Sequence, residues 1–212
     1  MAKGTLIAAM DFSKLDAGEF NDWYDTEHLP ERQRVPGFLT ARRWIGADNP
    51  GLSVAVYDLD SLAVLQSPGY RAIGGENLSP WSKRVTAKVE RVLRYEGEQT
   101  LPGDAVAPAA AGGMLLVGMT PAAGVEAAFN AWYDREHVPA LAGVPGVLSA
   151  RRFRGEATGG GVKFVALYHL TAPGVVDSAE WKQASASTPM PGHVREQISD
   201  RLRLVCRPYA RG

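Results

Sequence analysis

Cysteine is nearly absent from this chain: there is one, Cys206, among 212 residues. A lone thiol excludes an internal disulfide framework and any cysteine-rich metal cluster. Excess charge is missing too. The 23 Lys and Arg balance the 23 Asp and Glu, so no global field draws the chain to nucleic acid or to an anionic membrane. No run approaches the roughly 18 apolar residues that span a bilayer, and the opening "MAKGTLIAAMDF" shows no signal-peptide cleavage pattern. A cytoplasmic protein with neither a nucleic-acid nor a membrane partner is the expectation. Familiar motifs are lacking as well. No glycine-rich loop stands before a helix to cradle phosphate, since the "GGG" at 159–161 falls in a turn between strands. No G-x-S-x-G elbow occurs. The four histidines have no ligand-like spacing, so no structural metal is expected. Cys206, in an alternating strand, reads as a packed structural residue.

What the chain does contain is the same segment twice. "FNDWYDTEHLP" from Phe20 returns as "FNAWYDREHVP" from Phe129, and residues 19–46 overlie 128–155 without a gap, sixteen of 28 positions being identical. Two copies about 100 residues long indicate a fused pair of domains rather than a solenoid. The stretch between them, "EQTLPGDAVAPAAAGG", is rich in Ala, Pro and Gly and reads as a linker. The expected division is a first half at 1–98, a linker at 99–112 and a second half at 113–212.

Each half shows one order of elements. The first opens on the β-like "TLIAAMDF", then a helical stretch at about 18–34 that Pro36-Gly37 ends. The strands "FLTARRWIG" and "LSVAVYDLD" follow, then a weaker helix within 61–73 and the closing strand "AKVERVLRYEG". The second half repeats this with "GMLLVGMT", a helix at about 125–141, "VLSARRFRG", "KFVALYHL", a helix near 177–186 and "ISDRLRLVCRPY". The order β-α-β-β-α-β is the split βαβ of a ferredoxin-like domain. Its four-stranded sheet leaves one face bare, and two such halves in one chain are expected to press those faces together. The predicted class is therefore α+β: an intrachain barrel with helices outside and a cavity between the sheets.

"WYDTEHLP" and "WYDREHVP", each followed by Val-Pro-Gly and Ala-Arg-Arg, resemble the motif of the dimeric α+β barrel superfamily, particularly its EthD-like branch. The resemblance covers nearly both halves and implies a tandem version, closed within one polypeptide and able to stand as a monomer. The motif is specific for the fold and poorly specific for the reaction. Members of the superfamily include lactone isomerases, polyketide cyclases and cofactor-free monooxygenases. Some relatives bind haem; no cofactor is expected here.

The candidate site residues sit on two elements. Helical periodicity puts Phe20, Trp23 and Glu27 on one face, where the aromatics pack on the sheet, and Tyr24 with His28 on a neighbouring face. Glu27 and His28 diverge by roughly 100°, too far apart to grip one metal. Pro30 and Pro139 interrupt the helices just past His28 and His137, near the sheet rim. The imidazoles are the acid–base candidates, and the resemblance implies that the matching histidine faces the cavity; the bland alternative is a helix C-cap. On the strands, alternation aligns Phe38, Thr40, Arg42 and Trp44, and likewise Val147, Ser149, Arg151 and Phe153. Arg42 and Arg151 would hold a carboxylate or enolate oxygen, with Tyr24, Tyr133, Trp44 and Phe153 as aromatic contacts for a small-molecule carboxylate.

The halves also differ. "ERQR" at 31–34 stands against "ALAG" at 140–143, which favours His28 over His137 as the working base. Trp81 falls opposite His193 and Asp58 opposite His169, both histidines reading as surface or rim residues. The leading expectation is a cofactor-independent isomerase moving a proton on a ring-cleavage carboxylate. The alternatives are a cofactor-free monooxygenase or cyclase on a polyketide-like phenol, and a non-catalytic ligand-binding protein.

Overall fold

The computed structural model describes residues 2–158 and 161–211, so Gly159 and Gly160 of the expected glycine turn lie outside the described residues. The first half contributes β1 (Gly4–Asp11), β2 (Phe38–Gly46), β3 (Leu52–Leu59) and β4 (Glu90–Leu101). The second contributes β5 (Gly113–Pro121), β6 (Val147–Ala157), β7 (Phe164–Leu170) and β8 (Ile198–Pro208). These strands form one closed barrel in the order β1-β3-β2-β8-β5-β7-β6-β4. Within it each half keeps the ferredoxin-like order, β4-β1-β3-β2 and β8-β5-β7-β6. Residues 44–46 of β2 pair with 206–208 of β8, and β4 pairs with β6. Closure leaves neither sheet with a free edge.

The space between the sheets, expected to hold a cavity, is core. Ile7, Trp44, Val54, Val56 and Tyr95 from the first half mesh with Met114, Leu116, Phe153, Val165, Leu167 and Cys206 from the second. Eight strands enclose an interior that side chains can fill, and Trp44, Tyr95 and Phe153 are all fully buried there. Phe38 and Val147 do not join the inward rows. A register shift precedes Thr40 and another precedes Ser149, which turns Phe38 outward against Tyr57 and Tyr70, and Val147 toward the second half's outer core.

Helices cover the outer faces, and both copies of the repeated segment depart from a regular helix at the same place. In the first half α1 (Ala17–Trp23) begins at Asp16, whose carboxylate accepts from the Glu19 N–H at 2.8 Å. The chain then widens through a π-turn at Tyr24–His28, where the Leu29 N–H bonds to the Tyr24 carbonyl, before α2 (Leu29–Gln33). The second half matches it with α5 (Glu126–Trp132), a π-turn at Tyr133–His137 and α6 (Val138–Ala142). Pro30 and Pro139 supply no N–H, so a regular i→i−4 ladder would break at this point; the wider turn moves the break. It also brings residues five apart together. Trp23 and His28 rings lie 4.3 Å apart, and Trp132 and His137 rings 4.5 Å.

Most of the repeated motif fastens this helix to the sheet. Arg43, on the outer face of β2, donates to Asp25 at 2.9 Å and Asn21 at 2.7 Å, and lies 4.3 Å from the Tyr24 ring centroid. Arg152 makes the same set with Asp134, Asn130 and Tyr133. Charge-assisted bonds under an aromatic lid explain why Asn, Tyr-Asp and the second Arg of Ala-Arg-Arg recur as a group. Gly37 and Gly146 have φ of 96° and 92°, a left-handed turn that favours glycine, which accounts for Val-Pro-Gly.

The halves part company after β3 and β7. The helix expected within 61–73 is a 3₁₀ turn at Leu62–Gln66 followed by the short α3 (Pro68–Arg71), and a loop then leads to α4 (Pro80–Thr86). The second half has a 3₁₀ turn at Pro173–Asp177, the longer α7 (Ala179–Ser187) and α8 (Gly192–Arg195). Ser67 and Ser178 cap α3 and α7 in the same way.

Candidate functional site

A cavity of about 600 Å³ opens on the outer face of the first-half sheet, beneath α2 and the loop after α3. Its floor is Leu6, Ala8 and Met10 of β1 with Tyr57 of β3; Leu65 and Tyr70 form one wall, and residues 74–78 reach over it. His28 and Arg32 enter from the helix side. The cavity beside His28 thus lies on the outer face rather than between the sheets. The π-turn presses the His28 ring on Trp23 and sets it 5.1 Å from the Tyr24 ring, so that Tyr24 backs the imidazole. Below the turn, Glu27 accepts from Ser79 at 2.5 Å and Ser82 at 3.0 Å, and Ser82 accepts from the Trp23 indole at 2.9 Å. Glu27 therefore ties the π-turn to the start of α4 and orients the wall on which His28 leans.

His28 is buried, and its Nδ1 has no hydrogen-bond partner among the described residues. Burial, then the Arg32 and Arg43 guanidiniums, hold its pKa well below the ordinary histidine value. The imidazole is therefore neutral near pH 7, free to accept a proton or share a hydrogen bond. Arg32 is buried as well, donating to Glu31 at 3.0 Å and to the Ile73 carbonyl at 3.3 Å. Burial, then nearby Tyr24, pushes the Tyr57 phenol well above its usual range, so it stays protonated as a donor. Arg71, Arg91 and Arg94 stand around the same cavity. Sequence reasoning missed all four arginines as site residues; the contrast of 31–34 with 140–143 was the one signal pointing to Arg32.

The other predicted residues are not brought to this pocket. Arg42, Trp44, Arg151 and Phe153 point into the barrel, as alternation implied, but at a closed end. Arg151 is fully buried and donates to Asp58 at 2.7 Å and to the Ala105 carbonyl at 3.1 Å. Asp58 also accepts from Thr40 at 2.9 Å and from the Ala107 N–H at 2.7 Å. Arg42 donates to the Pro108 and Ala111 carbonyls. The linker thus lies across the barrel end, gripped by side chains of both halves. His169, expected at the rim, is fully buried beside Trp44 because β7 alternation turns it inward. Burial, then Arg151 and Arg42, lowers its pKa to about 3.

In the second half the equivalent outer-face space is packed. Val117 replaces Ala8, Leu141 replaces Arg32 and Trp181 replaces Tyr70, and they share one apolar cluster with Tyr133 and Met190. His137 is half-buried, its Nδ1 3.0 Å from the Thr188 hydroxyl, and burial lowers its pKa to about 4. Among the described residues no group of three or more His, Cys, Asp or Glu is placed to hold a metal ion, and no helix is long and apolar enough to cross a membrane.

Comparison with known proteins identifies the fold. No family model and no curated protein matches the chain. Among solved structures, an anthrone oxidase-like protein superposes with a TM-score of 0.65 at 13% identity, covering 99% of this chain and 92% of that one. A protein provisionally described as a monooxygenase from Fusobacterium nucleatum subsp. nucleatum gives 0.60 at 8% identity, covering 98% and 92%. A chlorite dismutase variant from Candidatus Nitrospira defluvii, in complex with cyanide, gives 0.58 at 12% identity, covering 98% and 91%. The fold is that of the dimeric α+β barrels, and here one chain supplies both halves.

Proposed function

We propose that this protein is an enzyme that deprotonates a planar phenolic or enolic substrate in the first-half pocket, with oxygenation of the resulting anion as the outcome. The observation that carries the reading is His28: a buried, neutral imidazole with an unpartnered nitrogen, against a large and mainly apolar cavity. Accepting a proton there creates an imidazolium beside the substrate anion, and the ion pair offsets the burial that otherwise disfavours the charge. Arg32 lies where it can hold the anion's oxygen, and the Tyr57 hydroxyl can donate to it. A substrate carbanion then supplies the electrons to dioxygen directly. For a ring methylene the balance is complete: carbon becomes a carbonyl with one oxygen atom, and the other oxygen leaves as water with both hydrogens.

Cavity size favours this over isomerisation of a small ring-cleavage carboxylate, which would leave most of 600 Å³ unfilled. The likeness to an anthrone oxidase-like protein points the same way. We assign the chain to the EthD-like branch on its repeated motif; because its own strands close the barrel, a monomer can be stable, and any further homo-oligomer would use the outer surface. The test uses an anthrone-type phenol as probe. Oxygen uptake should match product mole for mole, and under nitrogen the acidic C–H should exchange deuterium with solvent. Exchange without oxygen uptake would turn the reading to isomerisation; neither event would defeat it.

A further inference from the structure

We propose that the substrate of this pocket carries a carboxylate remote from its reacting ring, received by a cationic side groove at the cavity's outer end. The inference rests on the first-half pocket being the substrate site, and it adds what the far end of the substrate must be. A second cavity of about 240 Å³ adjoins the first, and the two share a wall made by Arg91, Leu93 and Arg94 of β4. Arg201 of β8 closes the opposite side. A ligand reaching past this shared wall would meet the three guanidiniums of Arg91, Arg94 and Arg201.

The charges there are poorly compensated. Arg94 is held in place, donating to Glu96 at 2.5 Å and to the Tyr70 hydroxyl at 3.2 Å. Arg91 has no acidic partner within ion-pair distance among the described residues, and Arg201 donates to the Arg195 carbonyl at 2.8 Å. The one acid lining the groove, Asp200, accepts from the Ser199 hydroxyl at 3.0 Å. Three guanidiniums thus stand against two carboxylates, Glu96 and Asp200, which leaves a positive excess of one at this end. Like charges brought together are unfavourable until an anion joins them, and guanidinium forks match the planar, two-oxygen geometry of a carboxylate. The apolar floor of the main cavity and this polar end together select an amphiphilic aromatic acid.

The test measures binding rather than turnover, so it stands apart from the role of His28. A dihydroxyanthraquinone carboxylic acid and its methyl ester are titrated against the protein, following tryptophan fluorescence at low and high salt. The acid should bind about tenfold more tightly than the ester at low salt, the scale of one charge-assisted contact, and salt should shrink the gap. The double variant Arg91→Gln, Arg201→Gln should abolish the preference, read as the ratio of acid to ester binding within that variant; both side chains are exposed, so the fold should tolerate it. Equal binding of acid and ester, or a preference that survives in the double variant, would overturn the remote-carboxylate inference alone. Failure of both ligands to bind would overturn the pocket assignment and this inference with it.

Discussion

The two halves share a fold and a motif, yet the space beside the repeated histidine is a pocket in one and core in the other. Both keep the wide turn that sets a histidine on a tryptophan, and both fasten it with the same Asn, Asp and Arg. The difference lies in what meets the histidine. Around His28 the chain places Ala8, Arg32, Tyr70 and a loop at 74–78; the matching space around His137 has Val117, Leu141, Trp181 and the longer α7. Duplication explains the repeat, and a few substitutions explain why a cavity stands beside one histidine and packed side chains beside the other. A motif repeated inside one chain can thus be largely structural, with the space beside it decided by the neighbours that differ.

The largest effect expected from breaking this comparison is on stability, at the barrel end. Asp58→Ala leaves Arg151 buried without its carboxylate and should destabilise the fold by about 3–5 kcal/mol, read as a lower urea midpoint. His169→Ala, at the equivalent place in the second half, removes a buried neutral ring with one long contact to Ser149, 3.4 Å, and should destabilise less. Equal losses would mean that the linker does not depend on the Asp58–Arg151 pair.

Next comes the filled pocket. Leu141→Ala should destabilise by about 2–5 kcal/mol, as large-to-small core changes do. Arg32→Leu, which copies the second half into the first, should leave stability nearly unchanged and lower kcat/KM about ten- to hundredfold, the scale of losing one or two charge-assisted contacts. A stable Arg32→Leu protein with full activity would remove Arg32 from the site.

How far the sequence led can be read from these residues. The barrel was legible because alternation and the repeat are dense signals: the inward rows of Arg42 with Trp44 and Arg151 with Phe153 lie where the period put them. The cavity's position was not legible. Alternation says which side chains point inward but not whether they fill the space, and here Trp44, Tyr95 and Phe153 do. The arginines at 71, 91 and 94 come from a loop-flanked helix and a strand far apart in sequence, so no local pattern joins them. The π-turn was hidden because Pro30 could equally mark the end of a regular helix. The favouring of His28 over His137 rested on the polar 31–34 segment, and Arg32 of that segment does stand at the cavity.

A smaller effect concerns acid. His28, His137 and His169 all have folded-state pKa values below the unfolded value of about 6.5. The unfolded chain therefore binds more protons, and stability should be full above pH 6.5 and fall as pH drops toward about 4 and then about 3, where His137 and His169 titrate folded. Activity should follow a different course: if neutral His28 is the base, kcat/KM shows no inflection near pH 6.5 and declines only at lower pH. An inflection at the ordinary histidine value would place the base in a solvated position.

The central claim is that one histidine of the repeated pair does the chemistry because the space beside it is open and that beside the other is packed. His28→Gln and His137→Gln, made separately and assayed with an anthrone-type phenol under air, test it most directly. His28→Gln should lose about 10²–10⁴ in turnover, the usual contribution of a general base, while His137→Gln keeps nearly all of it and loses only the Thr188 contact. Equal losses in both variants, or undiminished turnover in His28→Gln, would contradict the account.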